Sequence, residues 1–222
     1  MQGSSRAVLF DLDGTLADTA PDLANALNAT LENFGVDPLS FETIRPHVSH
    51  GGIALIKLGF GIEPDHPDFE TYRQFLLDYY QTNICQQTRL FDGMHEVLQW
   101  LEDNQIAWGI VTNKPGWLTD PLMAAMQLDK RAVSIISGDT CTNRKPHPEP
   151  VLVACSQANT TPENCFYVGD ALRDIQAGNA AGCITVTALF GYIDEQDNPD
   201  SWQADFSISH PSELITLINN QS

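Results

Sequence analysis

Basic side chains are scarce in this sequence. Eleven Lys and Arg stand against 29 Asp and Glu, a formal net charge of −18 over 222 residues. Such a chain repels polyanions, which argues against nucleic acid and anionic membrane surfaces as partners. It also offers an anionic small molecule no long-range attraction, so any phosphate has to be captured by local groups. No apolar run reaches the roughly 18 residues of a membrane span. The opening M-Q-G-S-S-R lacks a basic stretch followed by an apolar one, so no signal peptide is expected. Cysteines are odd in number (Cys85, Cys141, Cys155, Cys165 and Cys183) and form no C-x-x-C pair. They are expected as reduced thiols, mostly packing, in a cytoplasmic protein. Internal repeats and low-complexity tracts are also missing.

What the chain does have is a core: 42% of its residues are hydrophobic, enough for one large domain or two modest ones. The most informative stretch is A-V-L-F-D-L-D-G-T at 7–15. Its apolar run suits a buried strand, and Gly14 lets the backbone turn. Residues two apart in an extended chain share a face, so Asp11 and Asp13 should open into one pocket at the strand's C-terminal end. Open α/β sheets bind ligands at that edge. Two carboxylates this close repel and need a cation, a shared proton or both. One nucleophile, one acid/base and a bound Mg²⁺ are their simplest use.

Thr19 reads as a helix N-cap, with Pro21 in the first turn and Asp22 three residues on. Leu23, Ala26, Leu27, Leu31 and Phe34 recur at helical spacing until Gly35. Helical stretches follow at roughly 41–59 and 68–85, and no strand is expected from 17 to about 88. The first βα connection is therefore an all-helical insert, far longer than usual. The expected division is a core of 1–16 and 91–222 with a helical cap of 17–90. From Phe91 onward, near-continuous apolar strands alternate with helices, which predicts an α/β fold with a parallel, doubly wound sheet. The strand ends then carry Asp11 and Asp13, Thr112 and Asn113, and Asp170 with Asp174 one helical turn on, with Lys145 just before a helix. In a parallel sheet these groups converge. The four aspartates bring about −4 if all are ionised. One Mg²⁺ and Lys145 return +3, without which a phosphate dianion could not approach.

These motifs resemble the haloacid dehalogenase superfamily of phosphatases. D-L-D-G-T at 11–15 is similar to the first motif, V-T-N at 111–113 to the second, Lys145 in R-K-P-H-P-E-P to the third, and G-D-A-L-R-D at 169–174 to the fourth. The insert falls where that family carries its C1 caps. V-T-N-K-P, K-P-H-P-E-P and F-Y-V-G-D resemble the phosphoglycolate phosphatases. The stretch at 191–205 is more similar to the N-acetylmuramic acid 6-phosphate phosphatases of the same subgroup. The resemblance implies that Asp11 attacks phosphorus and that Asp13 protonates the leaving alkoxide, then activates water. It implies Mg²⁺ on Asp11, the Asp13 carbonyl, Asp170 and, through water, Asp174. Thr112 and Asn113 would bind phosphate oxygens, and Lys145 would neutralise charge.

Within the insert, R-x-x-x-S-x-G-G offers Arg45, Ser49, Gly51 and Gly52 as a substrate loop or, equally, an ordinary helix break. Arg45 is the expected clasp for a substrate carboxylate. His47 and His50 are too few for a metal site, and Trp100, Trp108, Trp117 and Trp202 are expected in packing. The implied activity is Mg²⁺-dependent hydrolysis of a small phosphorylated metabolite by a monomer or homodimer. Two rivals are a sugar phosphomutase and a phospho-accepting signalling module of the receiver type, which also places aspartates, Thr and Lys on a parallel sheet. Dehalogenation fits poorly, because Asp13 would have no alkoxide to protonate.

Overall fold

The computed structural model describes residues 6–194 and 197–221. The leader reading of residues 1–5, and positions 195–196 of the 191–205 stretch, lie outside them. The chain opens with β1 (Ala7–Phe10), β2 (Ala17–Asp18) and α1 (Ala20–Asn33). Helices α2 (Phe41–Ile44), α3 (Gly51–Phe60) and α4 (Phe69–Thr82) follow, before β3 (Arg89–Leu90). Then come α5 (Met94–Asp103), β4 (Ala107–Val111), α6 (Gly116–Ala125), β5 (Ser134–Ile136) and α7 (Glu149–Gln157). The last part holds β6 (Cys165–Gly169), α8 (Leu172–Ala181), β7 (Ile184–Ala188), β8 (Phe206–Ile208) and α9 (Glu213–Asn220).

Six strands form one sheet in the order β5-β4-β1-β6-β7-β8, and every pairing is parallel. β1 lies at the centre, fully buried on both faces, which explains its unbroken apolar run. Its alternate residues feed opposite layers. Val8 and Phe10 pack with Val97, Leu98 and Leu122, while Ala7 and Leu9 pack with Val151, Ala154 and Tyr167. The expected doubly wound sheet is therefore present. Among the described residues, no helix is long and apolar enough to cross a membrane.

The helices of 20–82 bury a second cluster, centred on Leu27, Leu31, Ile44, Leu76 and Tyr80, which Leu118 and Tyr192 also join. Two expectations fail here. The insert is bounded by strands: β2 and β3 pair antiparallel, Ala17 opposite Leu90 and Asp18 opposite Arg89. Two residues are too few to show a period of two. The 41–59 helix is also broken. A 3-10 turn over Arg45–His50 separates α2 from α3, and Gly51 reverses the chain at φ +76°. Asp22, in the first turn of α1, accepts hydrogen bonds from the backbone of Gln87 and Thr88 and from the Thr88 hydroxyl. That buried carboxylate ties the start of the insert to its end.

Candidate active site

β1, β4 and β6 are neighbours, so their C-terminal ends present Asp11, Thr112 and Asp170 side by side. Asp11 is buried. Its Oδ1 accepts from the Leu12 N–H at 2.7 Å and pairs with the Lys145 ammonium at 2.9 Å. Lys145 also pairs with Asp174 at 2.7 Å and donates to the Val111 carbonyl at 2.8 Å, giving its three N–H groups three acceptors. Asp174 accepts the Ala171 N–H through its other oxygen, at the start of α8. Asp170 accepts from the Thr15 hydroxyl at 3.2 Å and the Tyr192 N–H at 2.9 Å. Gly14, at φ +87°, lets the backbone pass against this carboxylate; a Cβ there would run into the Asp170 oxygen and the Tyr192 ring.

Oxygens of Asp11, Asp170 and Asp174 lie within 4.8 Å of one another. Three buried carboxylates beside one lysine leave excess negative charge. Burial, then the Asp174 charge, pushes Asp11 up to about 6, against the pull of Lys145. Burial, then Asp11 and Asp174, pushes Asp170 up to about 7. Hard oxygen donors in a charge-deficient cluster fit a hard divalent cation. The Asp13 carboxylate stands outside this group. It accepts from Lys114 at 2.9 Å and from the Thr19 hydroxyl at 2.6 Å.

A cavity of about 650 Å³ opens between sheet edge and insert. Asp11, Asp13, Thr112, Asn113 and Lys145 line it from the core, and Ser49, Gly51 and Gly52 line it from the insert. The 45–52 loop is thus both a helix break and part of the cavity wall. Ser49 reaches further than expected: its hydroxyl donates to Asp170 at 3.0 Å and has the Asp13 carbonyl as an alternative acceptor at 3.4 Å, while Arg173 donates to its carbonyl at 2.8 Å.

Two expectations require correction. Arg45 does not line this cavity. Its guanidinium donates to the carbonyls of Gly191 at 3.2 Å and Phe190 at 3.5 Å and lies over the Tyr192 ring. It joins insert to core. Both ends of the Asn113 amide are engaged by the Lys145 backbone, each at 3.0 Å, so this side chain braces the Lys145 loop at the cavity wall. Thr19 makes no cap bond, because its hydroxyl is turned to Asp13. Sequence reasoning also missed Lys114, a buried cation beside Asp13 and over the Tyr80 ring. Burial opposes its charge, but Asp13 and Tyr80 outweigh burial and raise its pKa. Its place directly after Thr112 and Asn113, in a chain so poor in cations, was the available signal. Arg73, Arg144 and Arg173 complete the cationic lining. His47 and His50 join no metal-ligand group among the described residues.

Sheet and site together define a doubly wound α/β enzyme built on a carboxylate centre. The family model described as haloacid dehalogenase-like hydrolase matches residues 8–188. Over 215 residues the chain is 40% identical to an N-acetylmuramic acid 6-phosphate phosphatase of Pseudomonas putida, covering 97% of this chain and 96% of the relative. Over 209 residues it is 42% identical to a phosphoglycolate phosphatase of Xanthomonas campestris pv. campestris, covering 94% of each. A crystal structure of a predicted phosphoglycolate phosphatase from Haemophilus somnus superposes with a TM-score of 0.85 at 25% identity, covering 98% of this chain and 99% of that one. The chain belongs to the haloacid dehalogenase-like hydrolase family. That membership sets the receiver reading aside.

Proposed function

We propose that the chain is a Mg²⁺-dependent phosphomonoesterase acting on a small, carboxylate-bearing sugar phosphate through an aspartyl-phosphate at Asp11. The observation that supports this most is one cavity holding two carboxylates with different partners. Asp11 sits among acids and Lys145; Asp13 sits on Lys114 and Thr19. Carboxylates in contrasting surroundings take contrasting roles.

Asp11 Oδ2 attacks phosphorus while the ester P–O bond breaks, and Asp13 gives its proton to the departing alkoxide. Lys145 and the Thr112 hydroxyl hold the phosphoryl oxygens as charge builds on them. Asp13 then takes a proton from water, whose oxygen attacks phosphorus and breaks the Asp11–phosphorus bond, releasing phosphate. Lys114 and Thr19 keep Asp13 aimed at that oxygen. Asp11, Asp170, the Asp13 carbonyl and, through water, Asp174 would hold Mg²⁺, which would supply the positive charge that lets two anions meet. Residues 17–90 act as a cap domain on a core of 1–16 and 91–222, hinging at the β2–β3 ribbon and excluding water when closed.

Both named relatives are phosphatases, and they differ in substrate size. A cavity of about 650 Å³ suits a sugar ring with substituents better than phosphoglycolate, which has two carbons. N-Acetylmuramic acid 6-phosphate is therefore the favoured substrate, its carboxylate facing Arg73, Arg144 or Arg173. Phosphate release should be measured from this ester, phosphoglycolate, hexose 6-phosphates and p-nitrophenyl phosphate. Preference for phosphoglycolate would overturn the substrate reading alone. An isomerised sugar phosphate without free phosphate would make the enzyme a mutase and overturn hydrolysis itself.

A further inference from the structure

A second ligand-like cluster lies at the opposite edge of the sheet. Cys165 begins β6, Cys183 immediately precedes β7, and Cys155 stands near the end of α7. Their sulfurs lie within 4.8 Å of one another, with Cys155 and Cys183 at 3.9 Å. All three thiols are buried, at 2%, 0% and 7% exposure, among Ala154, Ala158, Ala177 and Tyr167. Cys165 and Asp170 sit five residues apart along one strand direction, about 16 Å, so this cluster is separate from the carboxylate centre.

We propose that Cys155, Cys165 and Cys183 form a three-sulfur site for a soft monovalent ion of the Cu(I) type. An equilateral triangle of side 3.9 Å has its centre about 2.3 Å from each corner, a typical metal–thiolate length. Sulfur pairs at the 4.8 Å limit need close by less than about 1 Å, within the reach of a side-chain rotation. The donor set selects the ion. Thiolates favour soft metals. Among the described residues, no His, Asp or Glu joins the three sulfurs to complete the tetrahedron that Zn²⁺ requires. A singly charged ion content with three ligands fits. On binding, each thiol that becomes a ligand loses its proton to solvent as its sulfur–metal bond forms, with no change of oxidation state. The competing account is that the three thiols are only small apolar packing groups.

The test uses the whole, fully reduced protein under nitrogen. Cu(I) is supplied as its acetonitrile complex and titrated against a chromogenic Cu(I) chelator. One ion per chain is expected, with a sulfur-to-copper absorption band in the near ultraviolet. Thermal unfolding should rise by about 5 °C or more at saturating ion. Cys183→Ser, at the least buried of the three, should weaken binding about a hundredfold or more, and Cys155→Ser likewise. A Cys85→Ser/Cys141→Ser double variant should bind like the parent. Phosphate release should be unaltered in all of these variants, which separates this site from the proposed hydrolysis. Failure of the parent to compete with the chelator would overturn the site. So would undiminished binding in both Cys155→Ser and Cys183→Ser.

Discussion

Asp11→Asn should stabilise the metal-free protein while abolishing turnover. Asp11 is pushed from an ordinary 3.8 to about 6 by burial and by the Asp174 charge. A carboxyl raised in the folded state favours folding while protonated. That stability is lost as pH climbs through the folded value. The wild-type chain is therefore strained electrostatically at neutral pH and relieved in acid. A shift of about two units is worth roughly 3 kcal/mol. Asn fills the same space without charge, and Lys145 keeps Asp174 and the Val111 carbonyl as partners. For a chain of this size, roughly 2–4 °C per kcal/mol predicts a gain of about 6–12 °C at pH 8. Calorimetry in EDTA from pH 5 to 8 measures it. The gain should shrink toward pH 5, where wild-type Asp11 takes up its proton. Excess Mg²⁺ should raise the wild-type midpoint more than the variant's. An Asn variant that melts no higher than wild type at pH 8, or whose advantage ignores pH, would refute the reasoning.

Full activity should require Mg²⁺, vanish in excess EDTA and fail to return with Ca²⁺, whose longer bonds and higher coordination suit this compact cluster poorly; a phosphate-release assay after dialysis decides it. Lys114→Met should lower kcat by about 10²-fold with a smaller change in KM, because it releases Asp13 from its aim without removing a phosphate ligand; steady-state kinetics separate the two constants. Arg45→Ala should reduce turnover of an acidic sugar phosphate and of p-nitrophenyl phosphate by similar factors, whereas Arg144→Ala, at the cavity wall, should selectively raise KM for the acidic substrate; the ratio of kcat/KM values is the readout.

Strand-end chemistry was readable because it is local. Asp11, Thr112 and Asp170 each follow an apolar run, and a parallel sheet must gather such positions at one edge. Asp174 was readable as a charge one turn from that edge, and Lys145 as a charge just before a helix. The failures share another cause: a polar side chain chooses its partner in space. Nothing near Arg45 announces carbonyls at 190 and 191, nor does the segment around Thr19 favour Asp13 over its own helix. Asn113 was readable at its strand end, but not the hold of its amide on a loop 32 residues on. The β2–β3 ribbon escaped because two residues hold no pattern.

That ribbon bears on how the chain folds. The central strand pairs Ala7 with Ala107, a separation of 100 residues. Closing so long a loop is entropically slow. The ribbon joins Ala17 to Leu90, 73 residues apart, and the helices between them supply most of one cluster. If that segment condenses first, the loop that β1 must close shortens to about 27 residues. The saving is (3/2)RT ln(100/27), about 1 kcal/mol, or roughly five- to tenfold in rate. Replacing the helices by a tight turn between Asp18 and Arg89 should then leave the refolding rate of the sheet nearly unchanged. A several-fold acceleration would mean that the sheet ordinarily forms around an unstructured loop.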